Sequence, residues 1–190
     1  MQVSSARCWA TFCMGLWLMG TIAMAIVATQ NFFTIDRLLR AQPNPKLIFD
    51  MERLGHDETR AFLYYFSSEL NRLYFQYWNF AQLPIGILAL WLVGKDSHAA
   101  WPKWGIVAML GIVLFLTALV TPPMVSIGRT LDFVPRVPVP DGLRTFGLLH
   151  ATYTVFDGIE LILGFLVTLW LVRGREQIRA KLPRASGGTF

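Results

Sequence analysis

Four apolar blocks, at residues 8–33, 77–93, 104–120 and 146–172, take up nearly half of this 190-residue chain. A helix that crosses a bilayer needs ~20 mostly apolar residues, with a range of about 17–25. One such block can be a buried helix of a soluble domain. Four in so short a chain leave too little polar surface to cover them. The sequence therefore predicts an all-α fold: an integral membrane four-helix bundle in a single transmembrane domain, with spans at about 8–33, 74–94, 104–121 and 147–172. Composition agrees, with 54% hydrophobic and 15% charged residues, against roughly 45–50% and ~25% in soluble domains.

The connections are unequal. Residues 36–73 turn polar at Asp36-Arg37, are broken by Pro43 and Pro45, and then resume helical spacing. Asp57 is the expected N-cap of an amphipathic helix, with Glu58 in its first turn and Phe62, Phe66, Leu70, Leu73 and Tyr77 at helical spacing. Nothing interrupts the pattern before the second span. Residues 57–93 read as one helix, or as two joined by a bend near Pro84. At 1.5 Å per residue that is roughly 55 Å, well beyond the ~30 Å hydrocarbon core. The first half must project into water, lie on the interface or cover another part of the chain. The third span is expected to end at Thr121-Pro122-Pro123. The link at 122–145 holds five of the ten prolines and reads as a shaped cover or a rigid spacer.

The net charge of +5 is no nucleic-acid signature. Arg173, Arg175, Arg179, Lys181 and Arg184 fall in the tail at 173–190, directly after the last span, where positive charge marks the cytoplasmic side or meets anionic lipid. With four spans both termini share one side, so cytoplasmic termini in a bacterial inner membrane are expected. Residues 185–190 read as a flexible end. The first span is long for a signal-peptide core and reads as a retained helix. Its Gly15, Gly20, Thr21, Ala25 and Ala28 are small enough to let a neighbouring helix approach. Cys8 and Cys13 are poorly placed to bond each other and read as packing residues. No metal-ligand spacing and no phosphate-binding, zinc-protease or serine-hydrolase motif occurs, which points to a non-catalytic chain.

The functional signal is in the fourth span. His150, Tyr153, Asp157 and Glu160 step by three, four and three, and so share one helix face. Carboxylates within a span are costly and mark function or pairing. The second and fourth spans run in the same direction. Counting inward places Gln76, Asn79 and Gln82 at the depth of the stripe, with Gln30 and Asn31 of the first span in the same half. Three readings follow. The groups can join helices, either within this chain or to other membrane subunits, making the chain an accessory or scaffold subunit of a larger complex. They can carry protons or cations in a small transporter. His150 can be an axial ligand to a pigment or haem, although His56 and His98 lie in connections and supply no second ligand in a span.

The string Phe146-Gly147-Leu148-Leu149-His150, with Asp157 seven residues after the histidine and Thr121-Pro122 after the third span, resembles a bacterial four-helix transmembrane family of unknown function. That family is similar to a human four-helix transmembrane protein linked to drug resistance. The resemblance covers about the last third of the chain and implies four-helix topology without naming a reaction. Here Asp157 stands where the family carries Asn, which makes the position ionisable.

Overall fold

The computed structural model describes residues 3–41, 44–96 and 99–181, with side chains to Arg173 apart from those of Val3, Ser4 and Leu47. Pro43, His98, the side chains of Arg175, Arg179 and Lys181, and everything from residue 182, Arg184 included, lie outside the described residues. Among the described residues six α-helices run in order: α1 (Val3–Ala41), α2 (Pro45–Leu54), α3 (His56–Gly94), α4 (Ala100–Phe115), α5 (Thr121–Thr130) and α6 (Leu143–Lys181). A π-helical turn, Leu116–Val120, joins α4 to α5. Four helical stretches are long and apolar enough to cross a membrane: Ser5–Ala41, His56–Gly94, Ala100–Thr130 and Leu143–Arg173. The chain is a multi-pass, all-α membrane protein.

The four long elements form a square. Helix α1 packs along α3 and against α6, and α4 packs against α3 and α6, so α3 and α6 stand at opposite corners. Half of the square nearest the termini is an apolar core of Met14, Trp17, Ala89, Val93, Ile106, Met109, Val113, Val167 and Leu171. Toward the other end the core continues as Leu116, Val120 and Tyr153 with Phe75, Phe115 and Phe156 around them. Beyond the square, the end of α1, α2 and the start of α3 make a small lobe around Ile35, Leu39 and Met51.

The structure departs from sequence expectation at three boundaries. Pro45 starts a helix: it occupies the first turn of α2, where a missing N–H is harmless, and Asn44 caps by accepting from Lys46 N at 2.9 Å. Asp57 is no N-cap. It sits inside α3, whose cap is Gly55 at φ 96°, a left-handed conformation that glycine tolerates best. Pro122 and Pro123 do not end the third span; the helix passes through them by way of the π turn, so α5 carries it ten residues further. Pro84 likewise lies inside an unbroken α3.

Charge rings frame the bundle. At the lobe end, Arg72 is bidentate to Asp132 (2.8 and 3.1 Å) and also donates to Glu69 (2.6 Å). Arg129 is bidentate to the same Glu69 (both 2.9 Å). At the terminal end, Arg7 is buried against Asp96, with Nε donating at 2.8 Å, and its guanidinium lies 5.0 Å from the Trp170 ring centre. Lys95 covers Trp91 at 3.4 Å. From Arg72 to Lys95 the axial rise along α3 is about 35 Å, near the ~30 Å of a hydrocarbon core. Many large apolar side chains are exposed between the rings, among them Phe12, Met19, Phe80, Ile87, Leu114, Ile162 and Phe165.

Candidate functional site

The centre of the square is polar. Glu160, 1% exposed, reaches inward from α6 and accepts from Gln82 Nε2 of α3 at 2.6 Å and from Trp17 Nε1 of α1. Gln82 also donates to Thr21 Oγ1 at 3.3 Å, and Trp78 Nε1 donates to the same oxygen at 3.1 Å. Helices α1, α3 and α6 are therefore tied at one depth. Gln82 lies ten residues below Arg72 and thirteen above Lys95, or about 15 and 20 Å along α3, close to the midplane. A buried carboxyl with two aimed donors is satisfied, where a bare one would be prohibitive.

Two glycines make room for the indoles. A Cβ at Gly20 would sit 1.9 Å from the Trp78 ring, and one at Gly86 would sit 2.5 Å from Trp17 and 2.6 Å from Leu110. Each tryptophan thus lies in a slot on the opposite helix: Trp78 of α3 over Gly20 of α1, and Trp17 of α1 over Gly86 of α3. Small-residue packing expected of the first span is realised at Gly20 and Thr21. A Cβ at Gly15 meets nothing within 4 Å.

About one turn toward the lobe, Tyr153 OH donates to Asn79 Oδ1 at 2.8 Å, again bridging the α3–α6 diagonal. Among the described residues Asn79 Nδ2 has no partner, nor do the buried hydroxyls of Thr117 on the π turn and Thr121 directly after it. This layer is enclosed by Phe75, Leu116, Val120 and Phe156.

The stripe is thus divided. Tyr153 and Glu160 face the centre. Asp157 is half-buried on the flank of α6 and has no hydrogen-bond or ion partner among the described residues. His150 is exposed, its ring stacked on Phe146 with centroids 6.1 Å apart. The four positions do share a side of the helix, but ten residues at 100° each leave His150 and Glu160 roughly 80° apart, enough to turn the histidine out.

Of the expected partners, Asn79 and Gln82 meet the stripe and the others do not. Gln76 is half-buried and makes no side-chain hydrogen bond. Gln30 is exposed. Asn31 donates to Asn71 Oδ1 at 2.7 Å, and Asn71 in turn donates to the Ala28 carbonyl at 3.1 Å, a separate clasp between α1 and α3. Sequence reasoning missed Trp17, Trp78, Asn71 and Thr117, and gave Thr21 only a packing role and Thr121 only a place at the expected helix end. A signal existed for Trp17: an indole deep within a span, away from either interface, needs an acceptor there. Both cysteines are free, Cys13 buried and Cys8 exposed. Among the described residues no group of three or more His, Cys, Asp or Glu side chains comes together to hold a metal.

No protein-family model, no curated protein and no solved structure matches this chain.

Proposed function

We propose that this chain is a non-catalytic membrane subunit that docks, through the lobe end of α3, onto a larger membrane protein complex. One observation carries the reading. The exposed apolar face of α3 does not stop at the charge ring: Tyr77, Phe80, Ile87 and Trp91 face outward below it, and Phe62 and Phe66 continue above it at 60% and 56% exposure. These two phenylalanines lie about 15 and 9 Å beyond Arg72 along the axis. Lipid tails cover the lower part of the face; a protein partner covers the upper part. Phe49 of α2 and Phe133 of the link add to the exposed aromatic surface of the lobe end. Large aromatic side chains of this kind mark interaction sites.

In this reading the Glu160 layer holds the subunit together. The terminal end, with Arg7, Lys95, Lys103 and the basic tail, faces the cytoplasm of a bacterial inner membrane. Membership of the bacterial four-helix family belongs to the same proposal and rests on the fourth-span string and the Thr121-Pro122 step alone.

The test is native purification in mild detergent with mass determination. The expected result is a stable assembly with a second membrane polypeptide that Phe62→Ser/Phe66→Ser disrupts while the subunit stays folded. A lone monomer in every mild detergent overturns the proposal.

Asp157 favours a second reading, a small proton- or cation-coupled carrier, because an acidic group within a span and without a partner is suited to a mobile ion. Asp157→Asn then abolishes flux in reconstituted vesicles without loss of folding. Absence of any flux in the parent protein removes this reading.

A further inference from the structure

We infer that the π turn of the third span encloses a bound-water site inside the membrane bundle, between Asn79, Tyr153, Thr117 and Thr121. The site is independent of the docking proposal and takes a small neutral ligand that both donates and accepts hydrogen bonds.

Threonine behaves unusually here. Thr11, Thr29, Thr152, Thr154 and Thr168, all within long helices, donate back to the carbonyl four residues earlier, at 2.7–2.9 Å. That is the ordinary way for a helix to satisfy a hydroxyl in lipid. The Thr117 and Thr121 hydroxyls are buried and make no such bond. They belong to the turn where the backbone ladder is itself broken. Thr121 N–H donates to Leu116 O, five residues back, and Pro122 and Pro123 have no N–H to give. Ala118 O therefore has no helical donor at either the four- or the five-residue step, and Thr117 O has lost its own to Leu116. Freed carbonyls in a span are tolerated where hydroxyls or ordered water complete them.

The third orphan lies across from this turn. Asn79 is 2% exposed; its Oδ1 is occupied by Tyr153 OH and its Nδ2 by nothing. Leu116 and Val120, which alternate with the two threonines, pack on Tyr153 itself. The depths also match. Gly86 meets Leu110 and Gly128 meets Arg72 and Phe146, so residues 117 and 121, lying between, are at the depth of Asn79 on α3 and of Tyr153 on α6, and both hydroxyls are buried. One amide donor, two buried hydroxyls and freed backbone acceptors thus lie at one depth. A buried water needs two to four such partners. A cation is disfavoured by the Asn79 Nδ2 group, which can only donate.

The test is X-ray radiolytic hydroxyl labelling in ¹⁸O-water on the full chain in lipid nanodiscs, read by mass spectrometry, because radicals formed at bound water oxidise the side chains beside it. Tyr153, Leu116 and Val120 are buried and should nonetheless take up label. Met14 and Met109, both 0% exposed in the apolar core, are the dry reference despite their greater reactivity. The expected result is labelling at Tyr153 several-fold above that reference after correction for intrinsic reactivity. Thr117→Val/Thr121→Val, close in shape, is expected to remove most of it, and Thr121→Val alone to reduce it. Labelling at Tyr153 no higher than at Met109, or unchanged in the folded double or single valine variant, overturns the inference.

Discussion

Two polar layers bridge the same pair of helices, about one turn apart along α3 and two along α6, and they are built differently. In the Glu160 layer the indole and amide donors are aimed at acceptors: Trp17 and Gln82 at Glu160, and Trp78 and Gln82 at Thr21. In the Asn79 layer one bond is made and three polar atoms are left over. The first layer uses regular helices brought close by glycines. The second sits beside a π turn, where the extra residue and two prolines disturb the ladder. A closed network holds helices in register; an open one beside irregular backbone is suited to a guest. Membrane hydrogen bonds are individually modest, about 0.6 kcal/mol on average, so the contrast depends on what is stranded when one partner is removed.

The largest expected effect follows from breaking the closed layer. Glu160→Leu strands the Trp17 and Gln82 donors at the midplane and should destabilise the fold by about 3 kcal/mol, at about 1–3 kcal/mol per orphaned group. Glu160→Gln, which keeps an acceptor oxygen, should cost far less. Unfolding in mixed detergent micelles measures both, and equal losses would show that the layer is held by charge and not by donor matching.

Next comes the slot beneath it. Gly86→Val drives a side chain into Trp17 and Leu110 and should cost about 1–3 kcal/mol by overpacking, with Trp17 fluorescence shifted as the indole leaves its acceptor. A variant as stable as the parent would mean that the slot is slack.

The open layer should respond less. Asn79→Leu removes an Nδ2 donor that has no protein partner among the described residues and takes the acceptor from the Tyr153 hydroxyl, so a loss of about 1 kcal/mol is expected, largely restored in the double variant Asn79→Leu/Tyr153→Phe. A double variant much worse than either single one would place the two residues in a tighter network than their one bond.

Smallest is the lobe. Phe62→Ser and Phe66→Ser touch exposed positions and should shift stability by no more than about 0.5 kcal/mol, while co-purification of a partner falls. A large loss of stability would turn these residues into core and remove the docking argument.

How legible was this in the sequence? The helical class and the four crossings follow from block length alone, because backbone groups in lipid must bond within their own segment. The stripe was visible in its spacing. Its pairing with Asn79 and Gln82 followed from counting depth on two parallel spans. Gln76, Gln30 and Asn31 were candidates by the same count and are not partners, since depth says nothing about rotation about the helix axis. Asn31 found Asn71 because α1 lies against α3 at that level. His150 shares the stripe by spacing yet faces outward by drift. Pro122 and Pro123 were read as an end because a lone helix has no remedy for two missing donors; packing against α6 keeps the helix going through a π turn.

The order of apolar blocks determined that this chain would cross a membrane four times, with costly carboxyls in the last crossing; burial of backbone in lipid permits little else. Which groups those carboxyls meet was decided only when four helices closed into a square. Hydrophobicity sets how deep a residue lies, whereas the rotation and approach of its neighbours, here through Gly20 and Gly86, select the partners of Glu160 and leave Asp157 without one.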